Sequence, residues 1–226
     1  MFYNGKDSEG SKGYVNYVNK EKAFALNIAR VDYEPKIDVF DNSDNGGVGR
    51  SSNDAEEEPF IYMSTSATAE GPRDSIRLEG LRRFNRGLFI LDVRHMPAGC
   101  GTWPAFWLTD EPNWPVNGEI DILEGVNTQT QAKTAMHTTK GCDMEDVPLG
   151  VKTGYWDTAS GVPKRNGEID PTVREARDCF VYNPHQWLNQ GCVAMHERDD
   201  TIGEPLNQNG GGVFGTCLKW LCKTCV

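Results

Sequence analysis

Alternation of apolar and polar residues along this chain predicts a protein built from β-strands. The clearest alternation covers residues 13–18, 60–65, 75–78, 87–94 and 132–139. Residues 20–30 could form either a short helix or a strand, because their periodicity fits both. We expect extended chain over residues 32–40 and mainly loops over residues 141–212, which are rich in Gly, Pro, Asn and charged residues.

The most informative pattern is residues 117–125, which place Glu119, Asp121 and Glu124 among apolar residues. On a strand, Glu119 and Asp121 point to the same face, because side chains alternate with period two. A regular strand would send Glu124 to the opposite face. One extra residue in the apolar pair before Glu124, a β-bulge, would return it to the face of the other two acids.

Two glutamates on one concave face can lean to the roughly 5–5.5 Å separation that retaining glycoside hydrolysis requires. The alternative interpretation is an exposed acidic edge strand. Three acids on one face repel one another, and no basic residue lies between them to relieve that repulsion. The pattern therefore favours a catalytic role for Glu119, Asp121 and Glu124.

Aromatic residues and one histidine flank the acidic strand. Trp107 and Trp114 are predicted to stack on sugar rings, since Trp114 lies between prolines on a loop just upstream of the acids. For Trp103, core packing and sugar binding are equally good interpretations. His137 lies on the strand predicted after the acids, where it could hydrogen-bond an acid or a sugar hydroxyl, or be purely structural.

Composition narrows the class of partner. The net charge of -10 and the pI of about 4.9 argue against nucleic acid and anionic membrane, and they are compatible with a neutral polymer. The 226 residues suit one domain with a substantial core. No apolar run reaches the roughly 18 residues of a spanning helix, and the first residues lack a signal-peptide pattern.

Seven cysteines leave at least one unpaired within the chain. A disulfide between Cys142 and Cys192 would restrain the long loop region, although the sequence does not fix the connectivity. Cys222 and Cys225 form a lone C-x₂-C, which is half of a zinc site.

Two further stretches imitate functional motifs. Residues 41–46 resemble the front half of a calcium loop, but Ser52 stands where a bidentate Glu is needed, so we expect a solvated loop. Residues 166–170 repeat the sequence NGEID of the acidic strand without a third acid, and we expect a surface segment there. We predict no metal and no cofactor.

The block of residues 99–125 resembles glycoside hydrolase family 16, in particular the laminarinase-like endo-β-1,3(4)-glucanases. The family signature E-x-D-x-x-E matches Glu119, Asp121 and Glu124, and a preceding W-P-A-F-W block matches residues 103–107. Further similarity extends over residues 13–18, 77–93, 125–127, 137–138, 141–142 and 209–214.

This resemblance implies an all-β fold, a concanavalin A-like β-jelly-roll sandwich of two antiparallel sheets with a concave cleft. It implies that Glu119 is the nucleophile, that Glu124 is the acid/base, and that Asp121 hydrogen-bonds the nucleophile. Both ends of the chain match the family loosely. We therefore expect a catalytic domain over residues 1–214 that lacks N-terminal and C-terminal strands, followed by an atypical Cys-rich tail over residues 215–226.

The function that the resemblance implies is retaining endo-hydrolysis of β-1,3- or mixed β-1,3/1,4-glucans, with transglycosylation as a close relative. The expected partner is a β-glucan, the expected state a monomer, and the expected location extracellular or the cell wall. Two alternatives remain: a non-catalytic glucan-binding module, which would not need three intact acids, and an inactive fragment of such an enzyme.

Overall fold

The computed structural model describes residues 1–7, 10–35, 57–67, 71–148 and 150–218, and most of the regular structure in them is β-strand. They belong to two compact units, Met1–Arg83 and Phe84–Val226. The calcium-loop-like residues 41–46 and the C-x₂-C cysteines lie outside the described residues. In the described ranges, no helix is long and apolar enough to cross a membrane.

The first unit combines short strands with one helix. Its described elements are β1 (Gly5–Asp7), β2 (Val15–Tyr17), α1 (Lys20–Ala25), β3 (Ala29–Pro35), β4 (Glu57–Met63) and β5 (Arg73–Ser75). β2 pairs antiparallel with β1 and parallel with β5, and β3 pairs antiparallel with β4. A small core containing Val18, Ala23, Ile28 and Ile76 holds the helix in this unit.

The ambiguity over residues 20–30 is resolved as a helix followed by a strand. Asn19 begins the helix, because its side chain accepts a hydrogen bond from the Lys22 N–H at 3.0 Å and satisfies a free donor of the first turn. Ala23 is the residue that the helix buries. After Asn27, which has a left-handed backbone (φ 53°), the chain continues into β3.

The second unit contains the remaining described elements. They are β6 (Gly87–Val93), β7 (Ala105–Thr109), a 3₁₀ turn (Glu111–Asn113), β8 (Glu119–Glu124), β9 (Lys133–His137), β10 (Tyr155–Trp156), β11 (Thr158–Ala159), β12 (Val162–Pro163), β13 (Ile169–Asp170), β14 (Arg174–Glu175), β15 (Cys192–Met195), α2 (Gly203–Gln208) and β16 (Gly212–Leu218). The acidic stretch is thus strand β8.

A five-stranded antiparallel sheet with the order β10-β15-β9-β8-β7 carries β8 next to its edge strand β7. On one face of this sheet, Leu123 packs in a core with Met96, Ile202 and Leu206. Inward residues of the β6–β16 pair, Phe214 among them, pack against the same core. One face of β8 is therefore committed to the core, and the other is left for polar residues.

Two expectations about the second unit concern its loop region and its boundary at residue 214. The loop region 141–212 contains β15, a helix and several two-residue strands in its described part, so the prediction of mainly loops was too simple. Strand β16 runs through position 214 to Leu218. The division into a catalytic domain and a tail at that position stays a prediction.

The hypothesised Cys142–Cys192 disulfide is wrong, because Cys192 is bonded to Cys179. All three cysteines are buried together, and the Cys179 N–H donates to the Cys142 carbonyl at 3.0 Å. Cys142 is itself disulfide-bonded. Because the fold brings the three sulfurs into one cluster, spacing along the sequence could not select the correct pair.

The repeat at residues 166–170 is a surface segment, as predicted, except at its last residue. Glu168 is exposed, but Asp170 is buried. The Thr172 N–H donates to one Asp170 oxygen at 3.0 Å, and Arg174 donates to the other at 3.0 Å. The backbone hydrogen bond is the largest of the effects that lower the pKa of Asp170 to about 2. This acid therefore has a structural role in its loop.

Candidate active site

A β-bulge in β8 brings the three acids to one face, as the sequence predicts. Asp121 lies opposite Ala135 and Glu124 lies opposite Lys133, so three steps along β8 match two steps along β9. The register with β7 shifts at the same place, which leaves Ile122 as the extra residue. The bulge reverses the alternation after Asp121, so that Glu124 rejoins the face of the other two acids.

Residues directly opposite each other in neighbouring strands share a face of the sheet. Across β7, β8 and β9, the three rows on the acidic face are Thr109–Glu119–His137, Trp107–Asp121–Ala135 and Ala105–Glu124–Lys133. The structure therefore brings Trp107 and His137 to the acidic face by strand pairing alone.

Packing behind the acids explains the shape of the bulged strand. Leu123 is 1% exposed and anchors the back of β8 in the core. A methyl group at Gly125 would lie 2.4 Å from Ile202 Cδ1 in the same core, so the strand can approach this close only with glycine. The acidic side chains are held by a buried back face.

Asp121, the middle acid, and His137 are close enough to form an ion pair. His137 Nε2 lies 2.9 Å from Asp121 Oδ2, and both side chains are largely buried. Burial by itself lowers the pKa of His137, but the hydrogen bond to Asp121 and the charges of the surrounding acids outweigh it and raise the pKa. His137 Nδ1 is buried with no hydrogen-bond partner among the described residues.

Burial and nearby negative charge also raise the pKa values of the two glutamates. Burial, followed by the negative charge of Asp121, raises the pKa of Glu119 to about 7, and the charge of His137 opposes this rise. Burial and then Asp121 likewise raise the pKa of Glu124. In mildly acidic solution, at least one of the two carboxyls is therefore protonated in the substrate-free site. Retaining hydrolysis requires that this proton lies on the general acid and that the nucleophile is ionised.

Two tryptophans have polar roles that the stacking prediction did not include. Trp103 Nε1 donates to Glu124 Oε1 at 2.6 Å, while the side chain stays 49% exposed. The Trp114 Nε1–H is buried without a hydrogen bond of good geometry, but it lies close enough to Glu119 to lower the pKa of that carboxyl. Core packing of Trp103, one of the two predicted interpretations, does not fit this exposure.

The donor atoms of Glu119, Asp121 and His137 lie within 4.8 Å of one another, a set that could hold a metal ion. Two of the three residues already bond each other through His137 Nε2 and Asp121 Oδ2. Clusters of acids without an ion are common. The expected absence of a metal stays a prediction.

Sequence reasoning missed several residues that shape the site. Asn127 holds the loop before β7, and Lys133 faces Glu124, where its charge lowers the pKa of that acid. Gly191 lies against His137, since a methyl group there would approach Nδ1 to 2.9 Å. Lys133 could have been found by extending the strand pairing from His137. Asn127 lies within the family similarity over residues 125–127, which assigned it no role, and Gly191 gave no signal of its own.

A family model described as an XgeA-like, catalytic GH16 domain matches residues 1–220. The chain belongs to glycoside hydrolase family 16. Among curated relatives of this family 16 chain, a probable glycosidase of Schizosaccharomyces pombe is 33% identical over 223 residues, and an endo-1,3(4)-β-glucanase of Arthroderma benhamiae is 34% identical over 221 residues. These alignments cover 97% and 95% of this chain.

Solved structures show the same relationship. Laminarinase 16A of Phanerochaete chrysosporium, with β-glucans in its donor and acceptor sites, superposes with a TM-score of 0.63 and 26% identity over 97% of this chain. The similarity to this family 16 laminarinase confirms the predicted jelly-roll class. The roles of the individual site residues stay predictions.

The relatives are longer proteins. The chain spans 42% of the S. pombe glycosidase, 38% of the A. benhamiae glucanase and 59% of the laminarinase chain.

Proposed function

We propose that this chain is the catalytic domain of a retaining endo-glucanase that hydrolyses β-1,3- or mixed β-1,3/1,4-glucans. The observation that carries the proposal is the bulge in β8, which places Glu119, Asp121 and Glu124 on one face next to His137. The relatives named endo-1,3(4)-β-glucanase and laminarinase support the choice of β-glucan as substrate.

In the first step of this mechanism, ionised Glu119 attacks the anomeric carbon of the bound sugar. Protonated Glu124 gives its proton to the glycosidic oxygen, which leaves with the electron pair of the broken C–O bond. The result is a covalent glycosyl-enzyme on Glu119 and an ionised Glu124.

In the second step, Glu124 takes a proton from water, and that water attacks the anomeric carbon and releases Glu119. Two displacements at one carbon retain its configuration. Burial and then the charge of Asp121 raise the pKa of Glu119 in the substrate-free site, and the charge of His137 lowers it. Together with burial, which is the largest effect, the Asp121–His137 pair thus influences the pH at which Glu119 ionises.

Incubation of the purified chain with laminarin and with lichenan, followed by NMR of the products, tests this function. We expect oligosaccharides whose new reducing ends appear first as the β-anomer. Glu119→Gln should abolish hydrolysis and retain glucan binding. Glu168→Gln, which changes the equivalent residue of the NGEID repeat, should hydrolyse like wild type and serves as the matched control. Near-wild-type turnover in Glu119→Gln would exclude Glu119 as the nucleophile.

The acid/base role has its own experiment. Glu124→Ala should lose activity on glucan and regain it with azide on an aryl glycoside with a good leaving group, yielding a β-glycosyl azide. Absence of any azide product would count against the assignment of Glu124. Glucan binding by wild type without any turnover would instead indicate a non-catalytic binding module.

Transfer to sugar is a second candidate reaction. A structural relative described as an elongating GH family 16 β-1,3-glucosyltransferase superposes with a TM-score of 0.59 and 27% identity. The first displacement is the same in both reactions, and only the attacking hydroxyl differs. Adding a laminari-oligosaccharide acceptor and measuring product length distinguishes transfer from hydrolysis.

The proposal also covers where the domain acts and its oligomeric state. A β-glucan-degrading domain would meet its polymer outside the cell or in the cell wall, where disulfides such as Cys179–Cys192 persist. We propose that it acts there as a monomer. Light scattering of the purified chain and immunolocalisation check these two statements, which a dimer or a cytosolic pool would contradict.

A further inference from the structure

The hydrogen bond between Trp103 and Glu124 has a chemical consequence beyond binding. Trp103 Nε1 donates to Glu124 Oε1 at 2.6 Å, a short distance typical of a bond to a charged acceptor. The indole N–H is a donor only and cannot accept a proton. Oε1 is therefore engaged as an acceptor whether Glu124 is protonated or ionised.

The loop before β7 is fastened so that Trp103 keeps this position. The Asn127 N–H donates to the Thr102 carbonyl at 2.9 Å, and the Asn127 carbonyl accepts from the Gly99 N–H at 3.1 Å. The Asn127 side chain accepts from the Gly101 N–H at 2.8 Å. Three backbone groups of the loop are thus tied to a residue that follows β8 closely, so the indole and the acid belong to one rigid assembly.

We infer that Trp103 is a positioning residue that determines which oxygen of Glu124 carries the catalytic proton. Since Oε1 accepts the indole N–H, the proton of the neutral acid resides on Oε2. This inference rests on the proposed glycosidase function, because it assigns an orientation to the acid/base of that reaction. The predicted sugar-stacking role of Trp103 concerns the ring, which is 49% exposed, and leaves the N–H available for this task.

The bond from Trp103 affects proton transfer by Glu124 in both steps of the reaction. The O–H bond on Oε2 breaks as the glycosidic oxygen takes the proton, and the N–H bond to Oε1 stabilises the carboxylate that forms. In the second step, the proton from water returns to Oε2. Without the indole donor the two oxygens become equivalent, the carboxyl rotates more freely, and its ionised form loses a stabilising partner.

Trp114 supplies a matched comparison within the same site. Its Nε1–H is buried beside the other glutamate, Glu119, and it makes no hydrogen bond of good geometry with a described residue. Replacing either tryptophan by phenylalanine removes one indole N–H and keeps an aromatic ring. Trp103→Phe and Trp114→Phe therefore separate the loss of the N–H to Glu124 from a general loss of indole near the acids.

The test is a site-specific titration by NMR of ¹³C-labelled glutamate carboxyls in the substrate-free protein. In Trp103→Phe, the pKa of Glu124 should rise by about one pH unit, as expected for the loss of one charge-assisted hydrogen bond. In Trp114→Phe, the pKa of Glu124 should stay at its wild-type value. An unchanged Glu124 titration in Trp103→Phe would overturn the inference.

A measurement on the wild-type chain tests the same hydrogen bond without a variant, and so does not depend on whether Trp103→Phe folds. The indole N–H resonance of Trp103 should lie far downfield and should shift with pH as Glu124 titrates. A Trp103 N–H resonance that is insensitive to pH would overturn the inference.

Kinetics then separate this role from substrate stacking. Trp103→Phe should lower kcat on laminarin roughly tenfold and change KM little, because the loss concerns proton transfer. A higher KM with unchanged kcat would assign Trp103 to binding alone and overturn the positioning role. If wild type cannot cleave glucan, the proposed function fails, and the titrations of Glu124 and Trp103 still report on the hydrogen bond.

Discussion

Replacing Glu119 by glutamine should make the second unit more stable near neutral pH. The pKa of Glu119 rises from 4.5 to about 7 in the folded chain, with burial as the largest cause and the charge of Asp121 as the next. The folded state therefore binds this proton more tightly than the unfolded state. The resulting stabilisation is fully present below pH 4.5 and is lost as the pH rises through about 7.

The size of the effect follows from the pKa values. At 1.36 kcal/mol per pKa unit, a rise from 4.5 to about 7 corresponds to about 3 kcal/mol. The pKa of His137 is also raised, so its contribution to the free energy of unfolding also decreases as the pH increases. His137 is present in both wild type and Glu119→Gln. Glutamine at position 119 stays neutral throughout. The free energy of unfolding of Glu119→Gln should therefore exceed that of wild type by a few kcal/mol above pH 7, and the two should converge near pH 4.5.

Urea unfolding followed by tryptophan fluorescence measures this difference. All tryptophans among the described residues lie in the second unit, so the signal reports on the unit that contains the site. Wild type and Glu119→Gln would be compared from pH 4.5 to 8 at constant ionic strength. Glu168→Gln controls for the loss of one carboxylate at an exposed position. Parallel pH dependences of wild type and Glu119→Gln would refute the reasoning.

Three further predictions concern the support of the site. Leu123→Ala should destabilise the second unit by about 2–5 kcal/mol, because Leu123 is fully buried behind the bulge, whereas the exposed Leu188→Ala should change stability little in the same urea assay. His137→Ala should move the pH profile of kcat/KM upward, since the positive charge that lowers the pKa of Glu119 is removed; an unmoved profile would contradict this. Loss of the Cys179–Cys192 disulfide, which spans 13 residues, should lower the free energy of unfolding by about 3 kcal/mol, measured with and without reductant or after replacement of Cys179. Equal stabilities would contradict this prediction.

The sequence alone determined that the three acids of β8 share one face, because this arrangement depends on neighbours along one strand. Side chains alternate with period two, and the spacing of Glu119, Asp121 and Glu124 required one extra residue to reach a common face. The structure confirms that bulge at Ile122. Strand pairing likewise made the position of His137 predictable, since it lies on the next strand along the chain.

Tertiary structure decided everything that depends on residues distant in the sequence. The choice of Cys179 as partner of Cys192 depends on two long-range pairings: β15, which begins at Cys192, lies beside β9, and isolated bridges join residues 138 and 180 and residues 143 and 178. The role of Trp103 was open in the sequence, because core packing and stacking fit an aromatic residue equally well. Only the attachment of its loop to Asn127 directs the indole N–H to Glu124, and no local pattern encodes a bond between residues 21 positions apart.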